Sequence, residues 1–203
     1  MNVIRVLVAD DQALVRAGLA ALLDLEPDLT VVAQAADGHE AVALAARDRV
    51  DVALLDIEMP DLTGLEAAEQ IVAAGSGTRC LIVTTFDRPG YLRRAFDAGA
   101  SGFVVKDTPA PELAEAIRRV HAGLRVVDPA LAEKSLLAGP NPLTAREREV
   151  LREASGGVSA GQIARALHLS AGTVRNHLSS AIGKTGTRNR AEAVAVAARN
   201  GWL

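Results

Sequence analysis

Apolar and polar positions along residues 1–121 switch between two periods. Short runs rich in aliphatic and β-branched residues, VIRVLVA (3–9), LTVVAQAA (29–36), DVALLD (51–56), RCLIVTT (79–85) and GFVVK (102–106), read as strands. Several are apolar throughout, the pattern of strands covered on both faces by helices. Between them QALVRAGLAALLDL, GHEAVALAARD, GLEAAEQIVAAG, PGYLRRAFDAG and PAPELAEAIRRVHAG carry apolar residues at helical spacing, several stopped by glycine. Five βα units of this kind predict an α/β fold: a parallel five-stranded sheet between two helical layers.

Residues 125–141, RVVDPALAEKSLLAGPN, hold two prolines around one short apolar helix and read as a linker. From Leu143 the pattern is all-helical, with capping signals at the starts: Thr144 with Glu147, Ser159 with Gln162, Ser170 alone, and Asn189 with Glu192. Four helices are predicted, near 145–154, 160–166, 171–184 and 190–200, the second and third joined by LHLS, the short turn of a helix-turn-helix. The domains are then 1–124, the linker, and 142–203.

Charge separates the two domains. The chain of 203 residues has a net charge of −3, yet residues 1–141 hold 13 basic and 21 acidic side chains and residues 142–203 hold 9 and 4. An acidic first part suits a divalent cation and a basic last third suits nucleic acid. With five aromatics in all, the chain lacks a stacking platform for single strands, so duplex DNA is the expected target. The lone Cys80 excludes an internal disulfide or a cysteine metal site. No apolar run reaches membrane-spanning length, and MNVIRVLVADD ends in two acids where a signal peptide needs small residues, so the chain reads as cytoplasmic with no membrane partner.

In doubly wound sheets, ligands bind beyond the carboxyl ends of the strands, where strand order reverses. Asp10 and Asp11 end the first strand, Asp56 the third, Thr84 the fourth and Lys106 the fifth. Three converging carboxylates repel one another by up to ~4 kcal/mol per pair at contact distance and an effective dielectric near 20, so something cationic must offset them. Few oxygen ligands in a site open to water favour Mg²⁺, which keeps several waters and shares a phosphate. Lys106 adds a positive charge and Thr84 a hydroxyl donor, as in-line phosphoryl transfer requires. Asp56 is then the nucleophile and an aspartyl phosphate the product. In DIEMPDLTG the turn after Asp56 shapes the rim; Glu58 either participates, its carbonyl being placed to ligate a metal, or is an exposed rim acid.

These residues resemble the receiver domain of two-component response regulators over residues 3 to about 121, which implies a flavodoxin-like (βα)5 fold. The resemblance implies that Asp11, Asp56 and the Glu58 carbonyl ligate Mg²⁺ and that Asp10 acts through water. It implies further that Thr84 swings toward the phosphoryl group and that Phe103, three residues before the lysine, turns inward behind it; a plain core phenylalanine is the alternative. Asp107 stands where the family often has a proline, so that loop's geometry is not carried over. LTAREREVL, QIARALHLSAGTVRNHL and NRAEAVAVA resemble the LuxR-type (NarL/FixJ) helix-turn-helix over 142–203. DIEMPDLTGLEAAE, TTFDRPGYLRRA and SAGTVRNHL resemble in particular the branch that regulates membrane fluidity.

By that resemblance the helix after Ser170 enters the major groove. Arg175 and Asn176 are the expected base readers, since Arg pairs bidentately with guanine and Asn with adenine. Ser179 stands where relatives often carry lysine, so one contact is weakened. Thr173, His177 and Lys184 are phosphate contacts or packing, and Val174 and Leu178 are core. The implied partners are a sensor histidine kinase, double-stranded promoter DNA, a second copy of the chain when phosphorylated, and RNA polymerase as a further candidate. A two-fold dimer would bind half-sites near 10 bp apart; the first helix with PELAEAIRRV, and the last helix AEAVAVAA, offer dimer surfaces. Such a protein is a regulator rather than an enzyme, its receiver catalysing only its own phosphorylation and dephosphorylation. Two readings compete. A haloacid-dehalogenase-type phosphatase shares the nucleophilic Asp, Mg²⁺, Thr and Lys, but needs a second Asp where Glu58 stands. A DNA-binding module with a vestigial receiver would act without phosphorylation.

Overall fold

The computed structural model describes residues 3–85, 89–129, 131–133 and 141–203. They form two compact units, the first built from the N-terminal part of the chain and the second from its last third.

In the first unit β1 (Ile4–Ala9), β2 (Leu29–Ala35), β3 (Val52–Leu55), β4 (Arg79–Thr84), β5 (Gly102–Val105) and β6 (Val126–Val127) form one sheet in the order β2-β1-β3-β4-β5-β6. Every pairing is parallel. Helices α1 (Ala13–Leu23), α2 (Gly38–Arg47), α3 (Gly64–Ala73), α4 (Pro89–Asp97) and α5 (Ala110–His121) connect the strands. Val6, Val8, Val52, Leu54, Leu81 and Val83 alternate onto one face, where they pack with Leu23 of α1 and Leu113, Ile117 and Val120 of α5. β3 is buried along its whole length, which explains why its sequence does not alternate.

The sheet has six strands where five were expected. Val126 and Val127 pair with Gly102 and Phe103, and the Val126 N–H donates to the Ser101 carbonyl at 3.1 Å. Two β-branched residues suit a strand, but a two-residue run is too short for its period to register, so it reads as the start of the linker. The expected helix between Pro129 and Pro140 falls largely outside the described residues.

In the second unit α6 (Ala145–Ser155), α7 (Ala160–Ala166), α8 (Ala171–Lys184) and α9 (Arg190–Arg199) match the expected four helices to within a residue at each end. Thr144, Ser159, Ser170 and Asn189 each accept the expected N3 backbone hydrogen bond. His168, in the turn between α7 and α8, adopts φ 53°, a left-handed conformation that histidine tolerates better than most residues. Val150, Ile163 and Val174 form one buried cluster and Leu151, Ala181, Ala193 and Ala197 another, with Leu178 packing against both.

The β3–α3 turn depends on a close backbone approach. A Cβ on Gly64 would lie 1.9 Å from the Asp56 carbonyl oxygen, and the Gly64 N–H donates to the Ile57 carbonyl at 3.1 Å. Gly64→Ala is expected to destabilise the protein by about 2 kcal/mol, since overpacking a rigid site costs roughly 1–3 kcal/mol. Urea unfolding followed by circular dichroism checks this; an unchanged midpoint contradicts it.

Candidate functional site

Strand order reverses between β1 and β3, and the acids lie at that point. Ala9 pairs with Leu55, and the Asp56 N–H donates to the Ala9 carbonyl at 2.9 Å, so the two chains leave the sheet side by side. Asp10, Asp56 and Lys106 each sit one residue beyond their strand, while Thr84 is the last residue of β4. Parallel pairing thus brings four loop starts to one edge, and the Lys106 N–H donates to the Thr84 carbonyl at 2.8 Å.

Asp10 and Asp56 are buried and Asp11 is exposed at the rim. One oxygen from each of the three lies within 4.8 Å of the others, a separation at which each pair repels by about 3 kcal/mol at an effective dielectric of 20. The Lys106 ammonium answers two of them, at 2.6 Å from Asp10 Oδ2 and 3.0 Å from Asp56 Oδ2. Asp56 Oδ1 accepts from the Ile57 N–H and Asp10 Oδ1 from the Gln12 N–H, at 2.8 and 2.9 Å. Burial pushes the Asp56 carboxyl above its ordinary value, Lys106 opposes the rise and Asp10 adds to it. Burial pulls Lys106 down, but its ion pairs with the Asp10 and Asp56 carboxylates outweigh it and hold the ammonium charged.

The residues fit a hard divalent cation. The donor set is oxygen only, one member faces water, and the buried Asp10 Oδ2 lacks an aligned hydrogen bond. One monovalent ammonium leaves three carboxylates under-compensated. The Glu58 side chain is exposed, Thr84 is fully buried, and Phe103 is buried on β5 opposite Ile82. Arg16 escaped the sequence reading: its guanidinium donates to the Asp10 carbonyl, tying α1 to the acidic strand end. As the sole basic residue in an apolar helix it was visible, but nothing in its spacing told where it pointed.

In the second unit Arg175, Asn176 and Ser179 are exposed on α8 and Val174 is buried beneath them. Thr173 is half-buried and its hydroxyl shares a 2.8 Å hydrogen bond with Ser170. Lys184 is already engaged, its ammonium 2.8 Å from Oε2 of the buried Glu147, whose Oε1 accepts from the Ser180 hydroxyl at 2.6 Å. The sequence marks Glu147 as a local capping residue only; its reach to another helix has no linear signal.

Residues 6–118 match the response regulator receiver domain, and residues 141–197 match the bacterial regulatory proteins of the luxR family. The chain belongs to the response regulators. This regulator is 44% identical over 200 residues to the transcriptional regulatory protein YvfU of Bacillus subtilis strain 168, covering 98% of its own length and 100% of YvfU. It is 42% identical to the transcriptional regulatory protein DesR of the same organism, covering 98% and 99%. The crystal structure of the response regulator ChrA, from a haem-sensing two-component system, matches over all of both chains at 34% identity and a TM-score of 0.60. The regulator controls transcription and is not an enzyme, which removes the phosphatase reading.

Glu147 makes the second unit acid-sensitive. Burial raises its carboxyl, but Lys184, Ser180 and the Thr144 N–H together outweigh burial and bring it to about 2, against an ordinary 4.5. A folded value below the unfolded one adds stability that is complete above the unfolded value and lost as pH falls through the folded one. Glu147→Gln is therefore expected to lower the unfolding midpoint near neutral pH by about 5 °C, roughly 1 kcal/mol for a domain this small. That gap should close between pH 4.5 and 2. Trp202, the chain's only tryptophan, packs in this unit and reports its unfolding by fluorescence. A pH-independent gap contradicts the assignment.

Proposed function

We propose that Asp56 accepts a phosphoryl group from a sensor histidine kinase, and that the modified regulator pairs with a second copy to bind duplex promoter DNA. The observation that carries this reading is the Lys106 ammonium held between Asp10 and Asp56 at 2.6 and 3.0 Å, beside three carboxylates clustered within 4.8 Å. Such a pocket presents one buried nucleophile with a first counter-charge already in place.

Asp10, Asp11, Asp56 and the Glu58 carbonyl would hold Mg²⁺, Asp10 through water; the ion, when bound, neutralises charge on the transferring oxygens. An Asp56 oxygen attacks phosphorus, the P–N bond to the donor imidazole breaks, and the departing nitrogen takes a proton. Lys106 pairs with one phosphoryl oxygen and the Thr84 hydroxyl donates to another, while Phe103 follows Thr84 inward. The protein works in the cytoplasm, where the kinase and promoter are both reached, with RNA polymerase as a further candidate partner.

Pairing is supported by α1. Leu14, Ala17, Gly18, Ala21 and Leu22 recur at helical spacing and are all exposed, Leu14 by 87%, and Leu25, 79% exposed, follows in the turn after the helix. A continuous apolar stripe of this kind favours a helical partner. DNA binding is supported by the exposed Arg175 and Asn176, with Ser179 and Thr173 as weaker contacts, in a domain whose charge is +5 by the counts above.

Incubated with labelled acetyl phosphate and Mg²⁺, the wild-type protein is expected to take up label and to elute earlier in gel filtration. Asp56→Asn should do neither. Label retained in that variant, or an unchanged elution volume for labelled wild type, contradicts the proposal. In a binding assay on an enriched duplex, Arg175→Ala is expected to cost about 1–3 kcal/mol and to relax base preference at one position. Equal weakening on every sequence would make Arg175 a phosphate contact instead.

A further inference from the structure

Glu147 serves neither the acceptor pocket nor the exposed face of α8, yet it is an acid only 4% exposed in a basic domain. Capping does not require this. The capping boxes Thr63/Glu66 and Ser159/Gln162 close locally through exposed side chains, and Gln162 does so with an uncharged amide. Glu147 closes its own box with the Thr144 N–H at 2.7 Å and still carries two hydrogen bonds to another helix.

Those bonds end on Ser180 and Lys184, one turn apart on α8. At 100° per residue, Arg175, Ser179 and Asn176 share a sector of about 100°, and Ser180 with Lys184 fill roughly the next 80°. Val174, Ala181 and Leu178 form the apolar sector. Apolar packing is non-directional, and two of these three side chains are small. Charge-assisted hydrogen bonds at two points along the axis are directional and set both rotation and slide. The requirement is tight: side-chain atoms about 6 Å from the axis move ~2 Å for a 20° rotation. That shift exceeds the ~0.5 Å spread of a good hydrogen bond. Phosphate contacts by long flexible side chains tolerate it; bidentate base contacts do not.

We infer that Glu147 is a positioning residue for DNA readout, fixing through Ser180 and Lys184 the rotation of α8 and hence which base edges Arg175 and Asn176 meet. This rests on the reading of α8 as the recognition helix, and it turns Lys184 from a candidate phosphate contact into part of the grip.

The test uses the full-length protein with Mg²⁺ and acetyl phosphate. Sites are enriched from a random duplex pool with wild type, and Kd is then measured on the enriched duplex and a shuffled one over a range of salt. Wild type, Glu147→Gln, Lys184→Met and the double variant are compared, each scaled to its folded fraction by Trp202 fluorescence. Glutamine keeps the cap, as Gln162 does, and Lys184→Met removes the charged contact of the grip while leaving the cap untouched. The ratio of specific to non-specific affinity is expected to fall about tenfold in each single variant, the scale of one lost bidentate contact. The double variant should fall no further, because both substitutions break one interaction. Glu147→Gln should bind the shuffled duplex with the wild-type salt slope, which a general loss of folded protein would not preserve alongside a lowered ratio. An undiminished ratio in Glu147→Gln overturns the inference. So does an equal loss by Lys184→Met on both duplexes with a salt slope smaller by about one, the mark of a phosphate contact. A wild type that enriches no sequence overturns the recognition-helix reading itself, and this inference with it.

Discussion

Three carboxylates with oxygens inside 4.8 Å of one another set the terms for the first domain. Asp10 and Asp56 are nearly out of water, so their repulsion is poorly screened. Lys106 offsets part of it from the end of β5, two places from β3 and three from β1, which makes the ammonium a structural necessity before it has any chemical role. Parallel pairing makes the arrangement rigid: β1, β3, β4 and β5 all end at the same edge, so no loop has to search for its partner. An edge that holds like charges together in this way has the chemistry of a small divalent-cation site.

Much of this was legible in the linear sequence because the relevant period is short. Apolar runs ending in a polar residue mark both a strand and the point where it ends, so Asp10, Asp56, Thr84 and Lys106 fell within a residue of their expected places at the strand ends. The four helices of the second unit were equally plain, because each opens on a side chain whose oxygen caps it. What escaped were features of low local signal. Val126 and Val127 form a strand only because β5 offers a free edge. The Arg16 contact with Asp10 and the reach of Glu147 to Ser180 and Lys184 join residues whose proximity is created by packing, and no periodicity encodes that.

The two domains solve the same problem with opposite signs. In the receiver a buried cation is shared by acids at a sheet edge; in the helix-turn-helix a buried acid is shared by a hydroxyl and a lysine on one helix. Both use directional, charge-assisted contacts where apolar packing would leave an orientation loosely set. α1 adds a third kind of surface, a stripe of leucine, alanine and glycine with no charge across it, anchored at its start by Arg16 to the acidic strand end. The acidic strand end and the exposed stripe are therefore joined through Arg16 of one helix.

The central claim is that the acidic edge is a divalent-cation site created by uncompensated carboxylates. Calorimetric titration of the unphosphorylated protein with Mg²⁺ addresses it directly. One ion per chain is predicted, with affinity weakened at least about tenfold in Asp11→Asn, which removes a rim carboxylate while leaving the buried pair and Lys106 in place. No binding to wild type, or equal binding to both proteins, would contradict the account.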